Sequence, residues 1–145
     1  MSQPSALRLR GFAGFVAALL LFGCGGGGKG VRIEGKLVKN GQPVKVPEGM
    51  TVTLAFAGTD PKGGAAVYPA AVSSDGSFVA DNVPPGKYQL RVGLSGGSND
   101  PKGLARLEEL NRDYKEASKY LDYEVPNESS LRITVDIGNF KVSKQ

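Results

Sequence analysis

The chain has 145 residues, which is enough for one domain and little more. It carries no histidine and a single cysteine, so His-based triads, His general bases, His metal sites, intrachain disulfides and paired-Cys zinc or redox motifs are all excluded. Its 21 glycines are about twice the ~7% average, and with 9 prolines, a net charge of +4 and no long helical runs they point to turn-rich β-structure.

The first ten residues, MSQPSALRLR, hold Arg8 and Arg10 and no acid. An apolar run follows from Gly11 to Phe22. A basic stretch before a short apolar run is the layout of a secretory signal peptide. The run is too short for a bilayer span, which needs ~20 apolar residues. No polar residue marks a second face, as a buried amphipathic helix would require. The segment ends Leu21-Phe22-Gly23-Cys24 and resembles a bacterial lipobox. Leu21 stands three before the cysteine, Gly23 directly before it, and Cys24 is the chain's one thiol, placed where the apolar run stops. Phe22 is bulkier than the residue usual at its position. The resemblance implies a diacylglycerol on Cys24, cleavage just before it, and acylation of the new amino terminus, palmitate being the chain implied. Two or three acyl chains make a lasting anchor where one is marginal, since each buried CH₂ contributes ~0.8 kcal/mol. A free thiol behind an ordinary signal peptide is the alternative. By the enterobacterial sorting rule an Asp after the cysteine retains the protein in the inner membrane. Gly25 stands there instead, which implies the outer membrane, on its periplasmic or surface face.

Residues 1–23 are therefore expected to be a lipoprotein signal peptide, and residues 24–30 a Gly-rich tether. Cleavage leaves 122 residues and removes Arg8 and Arg10 but no acid, so the net charge falls from +4 to +2. No basic cluster remains of the kind that nucleic acid requires.

From Val31 the pattern alternates. Val31, Ile33, Gly35 and Leu37 face one way, with Arg32, Glu34 and Lys36 between them, as in a half-buried strand. Asn40-Gly41 is a strong turn signal. Met50 to Phe56 alternates again, and Val67 to Val72 is a third strand weakened by Pro69. Asp75-Gly76 marks a turn before a short strand, Ser77 to Ala80. Tyr88, Leu90 and Val92 form the next strand and Leu131 to Ile137 another, which Phe140 to Val142 either extends or follows as a last short one. Six or seven short strands separated by turns point to a β-sandwich.

One stretch departs from this pattern. Between residues 101 and 121, Leu104, Leu107, Leu110, Tyr114, Ala117 and Leu121 recur at three and four, the stripe of an amphipathic helix. Asp100 suits its N-cap and Pro101 its first turn. Packing on the sandwich accounts for the stripe; a partner-binding face is the second reading.

Asp75-Gly76-Ser77-Phe78 and Asn82-Val83-Pro84-Pro85-Gly86-Lys87-Tyr88-Gln89-Leu90-Arg91-Val92 together resemble the carboxypeptidase regulatory-like family. Val31 to Val44 resembles that family's first strand and hairpin, and Leu131 to Ile137 its closing strand. The resemblance implies a mainly β, prealbumin-like (Ig-like) antiparallel sandwich of about seven strands over residues 31–145. The helical insertion at 100–123, before the last strands, departs from the minimal pattern. The physical roles of the motif are structural. Gly76 takes a positive φ, Phe78 enters the core, Pro84-Pro85 stiffen a crossing between sheets and Gly86 relieves the turn. Tyr88 places its ring inside and its hydroxyl at the rim, much as a tyrosine corner does.

No residues are assigned to catalysis, metal or cofactor. Glu108, Glu109, Asp113 and Glu116 share a helix with basic neighbours and read as a solvated face. Asp60, Asp75, Asp81 and Asp100 sit beside turn residues and read as turn formers or caps. Tyr114, Tyr120 and Tyr123 cluster in sequence around the helix and its exit and are the candidate interaction surface, although core packing explains the same residues. The expectation is a non-catalytic, membrane-anchored binding or scaffold module that recognises an envelope protein or glycan. A passive spacer or accessory subunit is the alternative, and a carboxylate-based hydrolase comes last.

Overall fold

The structure, a computed structural model, describes residues 30–97 and 100–145. The signal segment, the lipobox residues Leu21, Gly23 and Cys24, and the tether up to residue 29 lie outside the described residues, as do Ser98 and Asn99. The elements in order are β1 (Val31–Lys39), β2 (Gln42–Pro43), β3 (Met50–Thr59), β4 (Ala65–Val72), β5 (Ser77–Val83), β6 (Gly86–Gly96), α1 (Pro101–Ser118), β7 (Asp122–Val125), β8 (Ser130–Asp136) and β9 (Lys141–Lys144).

The fold is mainly β, with the strands in one sheet nearly closed into a barrel. The order is β7-β6-β3-β4-β5-β1-β8-β9, and the two-residue β2 pairs with β1. The path is thinnest between β4 and β5, which share the single pair Val72 and Phe78. The alternating positions read from the sequence supply the core. Val31, Ile33 and Leu37 on β1 meet Val52, Leu54 and Phe56 on β3, Leu90 on β6, and Ile133 and Val135 on β8.

The expected antiparallel sheet of about seven strands needs two corrections. Nine strands lie among the described residues. The extra ones are short: β2 has two residues, and β7 has four, with exposed Asp122 and Glu124 at alternate positions. Such a segment gives little periodic signal. Second, β1 and β8 are parallel, from Arg32 beside Ser130 to Val38 beside Asp136. A parallel pair needs a long crossover, and here residues 40–129 supply it. Both strands therefore run from the end that holds Gly30 to the far end, roughly 26 Å along β1 at ~3.3 Å per residue.

Two glycines mark where aromatic rings press on the backbone. A Cβ at Gly35 would stand 2.5 Å from the Phe78 ring, and one at Gly58 would stand 2.6 Å from the Tyr88 ring. Side chains at either site would displace a core ring.

The helix ends earlier than its stripe. Asp100 accepts from the Lys102 and Gly103 amides, both at 2.9 Å, Pro101 stands in the first turn, and Lys119 caps the end. Tyr114 and Ala117 are buried, and Leu107 and Leu110 half-buried. Leu104, expected inward, is 51% exposed. Leu121 is buried beyond the helix, and its carbonyl accepts from the Leu90 amide at 2.7 Å. The insertion expected to run to residue 123 thus ends in β7, which pairs with the start of β6 from Gly86 to Gln89.

Beyond Gln89 the same edge of β6 is met by the helix instead of a strand. The Asn111 side chain accepts from the Leu94 amide and donates to the Leu94 carbonyl, both at 2.9 Å. The Ser118 hydroxyl accepts from the Val92 amide at 2.8 Å and donates to the Tyr114 carbonyl at 2.7 Å. Side chains of α1 thereby do for β6 what a ladder neighbour would, and the helix is docked.

Candidate functional site

The motif residues surround the turns that hold β5 and β6. Gly76 has φ +81°, in the left-handed region that a side chain resists. Beside it, Asp75 accepts from the Ser77 hydroxyl at 2.6 Å and the Ser77 amide at 3.0 Å, and these bonds hold its carboxyl below the ordinary value. Phe78 is in the core. Pro84 and Pro85 connect β5, which pairs with β1, to β6, which pairs with β3 and β7, and Gly86 begins β6 with φ +151°. The Tyr88 hydroxyl donates to the Pro84 carbonyl at 2.7 Å, tying this crossing to the strand that follows. Burial pushes the Tyr88 phenol pKa up, helped by Tyr68 and Asp60. Its ring meets Phe56 and Tyr68 edge-on, with centroids 6.2 and 5.9 Å away.

The structure separates the three tyrosines of the expected interaction surface. Tyr114 is only 8% exposed and belongs to the core, where burial pushes its phenol pKa up. Tyr123 is half-buried on β7 and packs against the core. Tyr120, just past the helix, is 57% exposed. Helical phase puts Tyr114 on the stripe that faces β6, whereas Tyr120 lies in the turn after the helix has ended.

Tyr120 has a partner from elsewhere in the chain. Its ring lies 5.2 Å from that of Phe140, centroid to centroid, at 48° between planes. Phe140 is 46% exposed. It occupies the turn before β9, where residues 140–142 were expected to be strand throughout, and has φ +51°. A bulky residue with positive φ is a genuine outlier.

The turn that carries Phe140 is clamped by one carboxylate. Asp136 Oδ1 accepts from the amides of Asn40 at 3.0 Å, Gly138 at 2.9 Å and Asn139 at 3.2 Å. Its Oδ2 accepts from the Gly41 amide at 3.2 Å and from Asn139 Nδ2 at 2.9 Å. Partial burial pushes the Asp136 carboxyl pKa up, but these hydrogen bonds outweigh it and hold the value below the ordinary one. The Ile137 amide donates to the Val38 carbonyl at 2.9 Å and completes the tie to β1. Alternation placed Asp136 outward and said nothing of this clamp, whose bonds to Asn40 and Gly41 depend on the parallel pairing of β1 and β8.

Two half-exposed rings on fixed backbone, tilted 48° to each other, leave aromatic surface open for a ligand to pack on. Around them the chemistry is polar: Lys119 donates to Glu116 at 2.6 Å, and Asp122, Asn139 and Lys141 are exposed. Among the described residues no group of three or more His, Cys, Asp or Glu is placed to hold a metal ion, and no helix is long and apolar enough to cross a membrane. No protein-family model, no curated protein and no solved structure matches the chain.

Proposed function

We propose that this chain is a lipid-anchored cell-envelope binding and scaffold module without catalytic activity. We further propose that its domain is a prealbumin-like sandwich of the carboxypeptidase regulatory-like kind, held to the outer membrane through Cys24 and recognising an envelope protein or glycan. One observation carries the reading: the only cysteine closes a basic-then-apolar leader and is followed at once by a Gly-rich tether and a β-domain that starts at Val31. The thin junction between β4 and β5 supports the sandwich, because it divides the sheet into two groups of four strands, β7-β6-β3-β4 and β5-β1-β8-β9. The Tyr88 to Pro84 bond supports the motif that underlies the resemblance. The contact between the exposed rings of Tyr120 and Phe140, drawn from distant parts of the chain, supports binding over a passive spacer. Asp75 and Asp136 use their oxygens as acceptors for turn amides, which is the work of turn formers and not of hydrolytic acids.

In-cell crosslinking of the tagged, anchored protein tests the reading, with mass spectrometry of what is captured. A dominant specific envelope partner, linked through the helix exit and the turn before β9, is the expected result when the ligand is a protein. Envelope glycan fragments retained on the same residues are the expected result when it is not. Neither one above background would leave the passive spacer as the better description.

A further inference from the structure

We infer that Tyr120 and Phe140 form a stacking platform for the pyranose rings of an extended envelope glycan. The inference deepens the binding reading above, naming its site and ligand class.

Backbone strain comes first. Phe140 sits where glycine or asparagine is the ordinary choice, at φ +51°. Strain of this kind persists only where the surroundings over-determine it. Here the surroundings are the five hydrogen bonds to the Asp136 carboxylate. They hold a turn whose outcome is an exposed ring, not a buried one.

The second ring is held as firmly. The Tyr120 amide donates to the Ala117 carbonyl at 3.0 Å, and the next residue, Leu121, is buried and bonded to β6. Neither ring's backbone needs ordering when a ligand arrives, so binding avoids that entropy cost.

Footprint selects the ligand class. A specific protein interface covers ~800 Å² per partner. Two half-exposed rings offer a small part of that. The other exposed large apolar side chains among the described residues, Val67, Val79 and Leu104, lie on β4, β5 and the first turn of α1 and do not extend the patch. One or two sugar rings match it. A pyranose has an apolar C–H face that stacks on an aromatic ring and a rim of hydroxyls that seek hydrogen bonds. Asp122 and Lys141, exposed and within two residues of a ring in the chain, carry groups of the kind those hydroxyls seek, whereas Lys119 and Asn139 are already bonded to Glu116 and Asp136. Position agrees: the turn lies at the end of β1 and β8 opposite the tether, facing away from the anchored end.

The test is an NMR titration of the ¹⁵N-labelled full chain in detergent with two probes, the β-linked tetramers of N-acetylglucosamine and of glucose. Saturable shifts at Lys119 to Asp122 and Gly138 to Lys141, from at least one probe, are expected. Tyr120→Ala should weaken binding about tenfold or more, as loss of a stacking ring does for a base. Phe140→Gly separates ligand binding from architecture: glycine accepts φ +51°, so the melting temperature should hold or rise while binding is lost. Absence of shifts from both tetramers, shifts confined to other residues, or wild-type binding by Phe140→Gly would overturn the platform. None of these outcomes touches the anchored-module reading, which rests on Cys24 and on crosslinking of the anchored protein.

Discussion

At the scale of single residues, the domain depends on a few side chains whose partners are backbone atoms. Tyr88 is one. Tyr88→Phe keeps the ring and removes the bond to the Pro84 carbonyl, so it should cost ~1 kcal/mol. Gly58→Ala drives a methyl against the Tyr88 ring and should cost ~1–3 kcal/mol by overpacking. Urea unfolding checks both, with the midpoint moving at constant slope. Asp136 makes a prediction about acid. Its folded pKa is depressed, so the stability it contributes is present above the ordinary ~3.9 and is lost as pH falls through the folded value. Asp136→Asn should lower stability at neutral pH and make its decline on the acid side shallower. Unfolding midpoints followed downward from about pH 5 decide it, and an acid limb as steep as the wild type's would refute it. The surface pairs of Arg32 with Glu34 at 3.1 Å and Asp81 at 2.8 Å are a different case. They are exposed and belong to the class that contributes little.

At the scale of elements, the long strands and the helix were legible, and of the short strands β5 and β9 were placed while β2 and β7 were not. Alternation located β1, β3, β6 and β8, because each buries alternate apolar side chains, such as Val52, Leu54 and Phe56 or Leu131, Ile133 and Val135. It missed β7, whose four residues hold one fully buried side chain, Val125. It did not give strand direction, since periodicity is the same in parallel and antiparallel pairs. The candidate surface suffered most. Adjacency in sequence joined Tyr114, Tyr120 and Tyr123, whereas helical phase buried the first and the sheet took the third. Phe140, the true neighbour of Tyr120, is twenty residues away in sequence and comes close through the fold. The helix makes the sharpest prediction at this scale. Asn111→Ala leaves both the amide and the carbonyl of Leu94 without partners and should cost about 2 kcal/mol. Hydrogen exchange at Leu94 should quicken with it, and unchanged protection there would contradict the role of α1 as a surrogate edge partner.

At the scale of the whole molecule, the proposal gives the two ends of the sheet different tasks. One end holds the start of β1, where Val31 pairs with Val83 and the Arg32 amide donates to the Ser129 carbonyl. The opposite end gathers the Asn40-Gly41 turn, the Asp136 clamp and the two exposed rings. Seven residues from Cys24 to Gly30 reach at most ~25 Å when extended, so the proposed acylation of Cys24 would keep the start of β1 within that distance of the lipid. Every part of this arrangement depends on the anchor. The direct test is the intact mass of the protein recovered from the membrane fraction of expressing cells, beside Cys24→Ala. The proposal predicts a chain that starts at Cys24 and carries acyl mass, and a Cys24→Ala form that stays full-length and unacylated. A wild-type protein without acyl mass, or a Cys24→Ala form cut and acylated like the wild type, would contradict it.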